Sequence, residues 1–146
     1  MSPLETFARY RDALDRGDLS AMEQFIADDF RLEGAGLDGI GKQAFLGAMK
    51  AQLDAFPDYS ENPSDLREVG EVVHFVAHVR GTQNGTLALP GIDPILPTGR
   101  RIELPPEPAW VRVKDSRLLV YHVDPVPGGG VRGILSQIES QNLVKG

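Results

Sequence analysis

The last stretch of alternating residues in this chain carries the side chains best suited to proton chemistry. Over residues 118–124 the alternation puts Leu118, Val120, His122 and Asp124 on one face of a strand. A carboxylate turned into an apolar cavity loses hydration and its pKa rises, which makes it a better general base near neutral pH. Asp124 is therefore the leading candidate base, and His122 beside it can donate a hydrogen bond to a bound group or orient the carboxylate. The structural alternative stands next to this one. Asp-Pro pairs start turns, so Asp124 before Pro125 equally serves as a cap. His122 equally serves as a strand histidine satisfied by a backbone carbonyl or at a dimer interface.

The preceding strand-like stretch offers Trp110 and Arg112 on one face. Trp110, the only tryptophan, can floor a pocket for a flat ligand or can simply pack in the core. Arg112 can neutralise a negative charge or pair with Asp124, or it can lie on the surface. Two tyrosines complete the set of substrate-binding candidates. Tyr59, just after Phe56-Pro57-Asp58, can hydrogen-bond a ligand carbonyl, as can Tyr10 on the first helical stretch. Asp58 reads as a turn residue.

His74 and His78 are four apart, a spacing that converges two imidazoles on one ion when the segment is a helix. This segment alternates as a strand, where the same spacing separates them by roughly 13 Å. No metal is expected there. A phosphate loop, a dinucleotide fingerprint and a Gly-x-Ser-x-Gly elbow are all missing from the sequence, which disfavours a nucleotide-binding loop and a serine-hydrolase site.

These side chains must be positioned by one domain, because 146 residues are ample for one core and short for two. The domain is expected to span residues 1–146. With no cysteine, the chain has no disulfide framework and no thiol nucleophile. Lys and Arg number 15 against 21 Asp and Glu, a net charge of −6 that argues against a nucleic-acid surface. No stretch approaches the ~20 apolar residues of a membrane helix, and no signal-peptide core is visible. A cytoplasmic location is the default expectation.

The first half reads as helices. Ser2, Pro3 and Glu5 form a capping-box start, Leu4, Phe7, Ala8 and Leu14 form a stripe, and Gly17 is the stop. A short helix follows over 19–27, then a short strand over 30–33, a glycine-rich loop and a third helix from Lys42 to Ala55. From Tyr59 the period changes to two. Strands are expected over 71–82, 101–104, 109–114 and 118–124, with a short helix from about 133 to 140. On the first of these strands Val73, Phe75, Ala77 and Val79 share the apolar face. Helices followed by consecutive strands specify an α+β fold: a cone-shaped, curved antiparallel sheet with N-terminal helices over it and one internal pocket.

Several segments fall in an order that resembles the SnoaL-like polyketide cyclases of the ketosteroid-isomerase-like (nuclear-transport-factor-like) superfamily. They are Phe56-Pro57-Asp58, Arg80-Gly81-Thr82, Pro97-Thr98-Gly99-Arg100-Arg101, the strand ending in Asp124, and Leu135-Ser136-Gln137-Ile138. The chain departs from the family at Gln83, where many members have histidine, at Val120-Tyr121-His122-Val123, which lacks a tryptophan, and in the insertion over 125–133. The resemblance implies the same α+β cone and a cofactor-free lyase or isomerase acting on a small apolar or aromatic molecule. Asp124 is then the base that abstracts a proton next to a carbonyl, with His122 or Arg112 stabilising the enolate. A homodimer paired sheet against sheet is also expected. The alternative is a non-catalytic binding or dimerisation module of the same fold.

Overall fold

The computed structural model describes residues 1–34, 36–37 and 39–145, with side-chain surroundings to residue 139. Helix α1 (Pro3–Asp15) begins as its sequence requires. The Ser2 side chain accepts from the Glu5 backbone N–H and Glu5 reaches back to the Ser2 N–H, closing the capping box. Phe7, Tyr10, Ala13 and Leu14 are buried along its inner face, whereas Leu4 stays outside. Helix α2 (Leu19–Gln24) is capped by Asp18 and gives way directly to strand β1 (Ile26–Gly34). The second helix thus ends earlier than its apolar spacing suggests, because Ile26 and Phe30 are buried from a strand instead. Helix α3 (Lys42–Ala55) has the expected bounds and buries Phe45, Met49, Gln52 and Ala55.

Strands β2 (Ser64–Val69), β3 (Val72–Ala77), β6 (Glu107–Lys114) and β7 (Arg117–Val123) join β1 in one curved sheet, ordered β1-β7-β6-β3-β2. Strands β4 (Arg80–Thr82) and β5 (Arg101–Glu103) form a separate two-stranded ribbon. The long strand expected over 71–82 is therefore split between two sheets. The sheet is antiparallel except at one edge, where β1 runs parallel to β7. β1 and β7 lie far apart in sequence, so no tight hairpin dictates their direction. Helix α4 (Gly130–Lys145) starts three residues before the expected 133 and packs near β5.

The inner face of the sheet carries Val73, Phe75 and Ala77 of β3, Ala109, Val111 and Val113 of β6, and Tyr121 and Val123 of β7. Helix α1 lies across it, with the Phe7 ring 4.6 Å from Phe75 and Tyr10 edge-on to Tyr121 at 6.3 Å. Each fully buried ring of this kind stabilises the fold by about 1.5–3 kcal/mol relative to exposure. Among the described residues no helix is long and apolar enough to cross a membrane. The result is the α+β cone, open at one end between α3, α4 and the loop after β1.

Candidate active site

The cone encloses a cavity walled by apolar side chains such as Leu32, Phe45, Met49, Val79 and Ile134. Five polar side chains break the apolar wall: Gln52, Tyr59, Glu61, Glu107 and Tyr121. Leu37, Ala48, Gly130 and Val131 line it while keeping some exposure, and they mark the mouth. Its volume is about 70 Å³.

Glu61 reaches this wall because the chain around it is laced beside residues 78–80. Ser60 and Arg80 exchange backbone hydrogen bonds, and the His78 N–H donates to the Glu61 carbonyl at 2.7 Å. Asn62 then turns the chain away with a φ of 43°, its side-chain amide donating to Ser60 Oγ and the His78 carbonyl. Extended backbone with alternating sides thus sends Tyr59 and Glu61 inward together.

Glu61 is only 7% exposed. Burial raises its pKa from 4.5 to about 7, against the lowering effects of a hydrogen bond from Tyr121 and the nearby Arg11 charge. Asp15 and Glu107 add to the rise. Its Oε1 and the Oε1 of Gln52 are buried with no hydrogen-bond partner. Burial also pushes Tyr59, Tyr121 and Tyr10 well above the ordinary tyrosine value, so all three remain neutral hydroxyls. Glu107 is raised by burial as well, partly offset by the Gly130 N–H donating to its Oε2 at 3.0 Å. A carboxyl that exchanges its proton near neutrality, flanked by neutral hydroxyl donors in an apolar cavity, is equipped for acid–base chemistry.

Of the residues singled out from sequence, Tyr59 lies in the cavity wall. Tyr10 is fully buried against Tyr121, behind the lining, with its hydroxyl unpartnered. Asp124, His122, Trp110 and Arg112 lie elsewhere, on the outer face of the sheet. The expected alternation breaks at a β-bulge. Val113 pairs with Leu118 but Arg112 with Val120, so Leu119 is an extra residue that reverses the sides. Leu118, Tyr121 and Val123 consequently face inward, while Val120 and His122 face outward.

The outer group is nonetheless organised. His122 donates or accepts at both ring nitrogens, 2.8 Å from Asp124 Oδ1 and 3.1 Å from Glu33 Oε1, and stacks on Trp110 with centroids 5.0 Å apart. Burial works against its charge, but the bonds to Asp124 and Glu33 prevail and raise its pKa. The Asp124 side chain is 54% exposed, so the apolar enclosure expected around it is absent. Arg112 pairs with Glu71 rather than with Asp124. His74 and His78 also lie off the inner face, His78 bonded to Ser64 Oγ at 2.9 Å.

Sequence reasoning missed Glu61, Glu107, Gln52 and Tyr121. For Glu107 a signal existed, since it heads the alternation Ala109, Val111, Val113 and is a charged residue on an apolar face. Glu61 follows Tyr59 by two within the period-two region, a weaker form of the same sign.

The fold has parallels among solved structures. AclR from Streptomyces galilaeus, provisionally described as a hydroxylase, superposes with a TM-score of 0.74 at 18% identity, over 94% of this chain and 81% of that one. A SnoaL-like polyketide cyclase, again provisionally so described, from Jannaschia sp. CCS1 gives 0.73 at 15% identity over 94% and 92%. IdmH from Streptomyces antibioticus, provisionally described as a polyketide cyclase, gives 0.69 at 22% identity over 92% and 99%. These likenesses concern the fold. No curated protein matches the chain. The SnoaL-like domain family matches residues 7–121, from the first helix into the last strand, and the chain belongs to that family.

Proposed function

We propose that this protein is a cofactor-independent acid–base enzyme of polyketide-cyclase or isomerase type, with Glu61 as its proton-transfer group. The observation that carries the reading is a carboxyl buried in the wall of an apolar cavity with a pKa raised to about 7. As a carboxylate, Glu61 takes a proton from the carbon next to a substrate carbonyl. Tyr59, kept neutral by burial, donates to the enolate oxygen that forms. The proton then returns at another carbon in an isomerisation. In a cyclisation the enolate carbon attacks a second carbonyl and the proton goes to the resulting alkoxide. The apolar walls favour a small apolar or aromatic ring compound. An engineered cavity of about 150 Å³ holds benzene, so 70 Å³ admits one edge of such a ring. The rest of the substrate lies in the mouth against Leu37, Ala48 and Val131.

A second reading keeps the base at Asp124, with His122 as its partner, Arg112 nearby and Trp110 as the platform. The observation favouring it is the His122 imidazole clamped between two carboxylates and stacked on Trp110. One experiment separates the two. Ring ketones are incubated in D₂O with the wild type, Glu61→Gln and Asp124→Asn, and deuterium uptake next to the carbonyl is followed by mass spectrometry. Loss of uptake in Glu61→Gln alone supports the cavity, and loss in Asp124→Asn alone supports the outer group. Binding without uptake by any of the three supports the non-catalytic module. The homodimer is likewise a proposal, with light scattering as its check.

A further inference from the structure

Glu61 is a wall shared by two spaces. On one side lies the cavity, and on the other a surface pocket of about 270 Å³ lined by Arg11, Leu14, Asp15, Asn62 and Pro63. Two of the residues lining this second pocket present buried polar atoms with no partner, Glu61 Oε1 and Arg11 Nε. One is an acceptor and the other a donor. Buried polar atoms in native proteins are nearly always satisfied by protein or by water. A water that accepts from Arg11 Nε–H and donates to Glu61 Oε1 satisfies both, and the space exceeds the ~10–15 Å³ that one water needs. Arg11 and Asp15 are four residues apart on α1, so both sit on the same side of that helix.

We propose that the Arg11–Asp15 pocket is the proton port of the Glu61 site, connecting the buried carboxyl to solvent while substrate closes the mouth, which shares no residue with the pocket. The Glu61 acid passes its proton to the pocket water. That water passes one of its protons to the Asp15 carboxylate, which releases it to bulk solvent. Glu61 is left ionised, water is restored, and Arg11 keeps its charge throughout and faces the carboxylate left behind. The other groups around Glu61 are Tyr10 of α1, Tyr59, Glu107 of β6 and Tyr121 of β7. None of these belongs to the pocket. The port rests on the reading of Glu61 as the acid–base group, and its test needs no turnover.

The hydroxyl of Tyr121, hydrogen-bonded to Glu61, reports water access to the carboxyl. Its exchange rate is read from the deuterium isotope shift on Tyr121 Cζ in mixed H₂O and D₂O, in the free protein. Asp15→Leu plugs the pocket and is expected to slow exchange at least tenfold. Ala48→Phe plugs the mouth and is expected to change it less than twofold. Should Asp15→Leu fail to fold, Arg11→Met is read the same way, because it removes the donor that holds the water. Slower exchange in Ala48→Phe with none in the pocket variants overturns the port, and so does unchanged exchange in all of them. Failure of the ketone assay with slowed exchange in Asp15→Leu would discard the enzyme reading and leave the port in place.

Discussion

At the scale of single residues, the proposed proton transfer turns on the burial of Glu61. A carboxylate stripped of hydration is a stronger base than one in solvent, and the same loss sets its working pH. Glu61→Gln keeps the shape and removes the proton acceptor. It is expected to lower deuterium uptake by ring ketones by about 10²–10⁴-fold while leaving their Kd nearly unchanged. In the wild type the rate should rise with pH through about 7, as the carboxylate forms. Tyr121 donates a hydrogen bond that favours the ionised form. Tyr121→Phe should therefore move the acid limb of the pH–rate profile upward, and Asp15→Asn, which removes a neighbouring negative charge, should move it downward. A limb that stays in place in both variants would assign it to a group other than Glu61.

At the scale of elements, the short motifs that signal the family hold the frame and leave the chemistry to others. Asp58, at the end of the stretch after α3, accepts from the Thr82 N–H at 2.7 Å and the Thr82 hydroxyl at 2.9 Å. Burial acts to raise the Asp58 pKa, but these bonds win and lower it. Gly81 leaves room for Phe56, whose Cβ would lie 3.1 Å from any Cβ placed there. Phe56-Pro57-Asp58 and Arg80-Gly81-Thr82 are thus two halves of one clasp joining α3 to β4. Gln83 extends it by accepting from the Thr98 N–H and hydroxyl. Asp58→Ala is expected to cost about 1–2 kcal/mol, a Tm loss of about 3–6 °C in a thermal melt, without moving the pH–rate limb. The helices and most strands were legible because capping and periodicity are local. The bulge at Leu119 was not, since an alternating apolar stretch reads the same with or without an inserted residue. That one residue turned the candidate face of β7 outward. Glu61 escaped because Tyr59 and Glu61 alone make too short an alternation to mark a strand, and only the pairing of 60–62 with 78–80 turns it inward.

For the whole molecule, the site's perturbed groups combine into one pH dependence of stability. Glu61 binds its proton more tightly folded than unfolded, so folding is favoured while it is protonated and loses that favour as pH rises from about 4.5 through 7. The rise from 4.5 to about 7 corresponds to about 3 kcal/mol between pH 4 and pH 8, at about 1.4 kcal/mol per tenfold change in proton affinity. Glu107, also raised from 4.5, acts in the same direction. His122 does too: its bonds to Asp124 and Glu33 stabilise the fold below pH 6.5, and that contribution is lost as pH climbs through the raised value. Asp58 opposes them only under acid, where protonation below 3.8 removes its bonds to Thr82. A net charge of −6 adds self-repulsion toward alkaline pH. The Tm should therefore peak near pH 4 and fall by about 10 °C by pH 8, at about 3 °C per kcal/mol for a domain of this size. Glu61→Gln should be the more stable protein at pH 8 and should flatten most of the slope between pH 4.5 and 7. Parallel curves for the two proteins would mean that Glu61 is exposed to bulk solvent in the native state, beyond the one pocket water. The base would then have lost the desolvation on which its reactivity depends, so the stability curve and the pH–rate profile must stand or fall together.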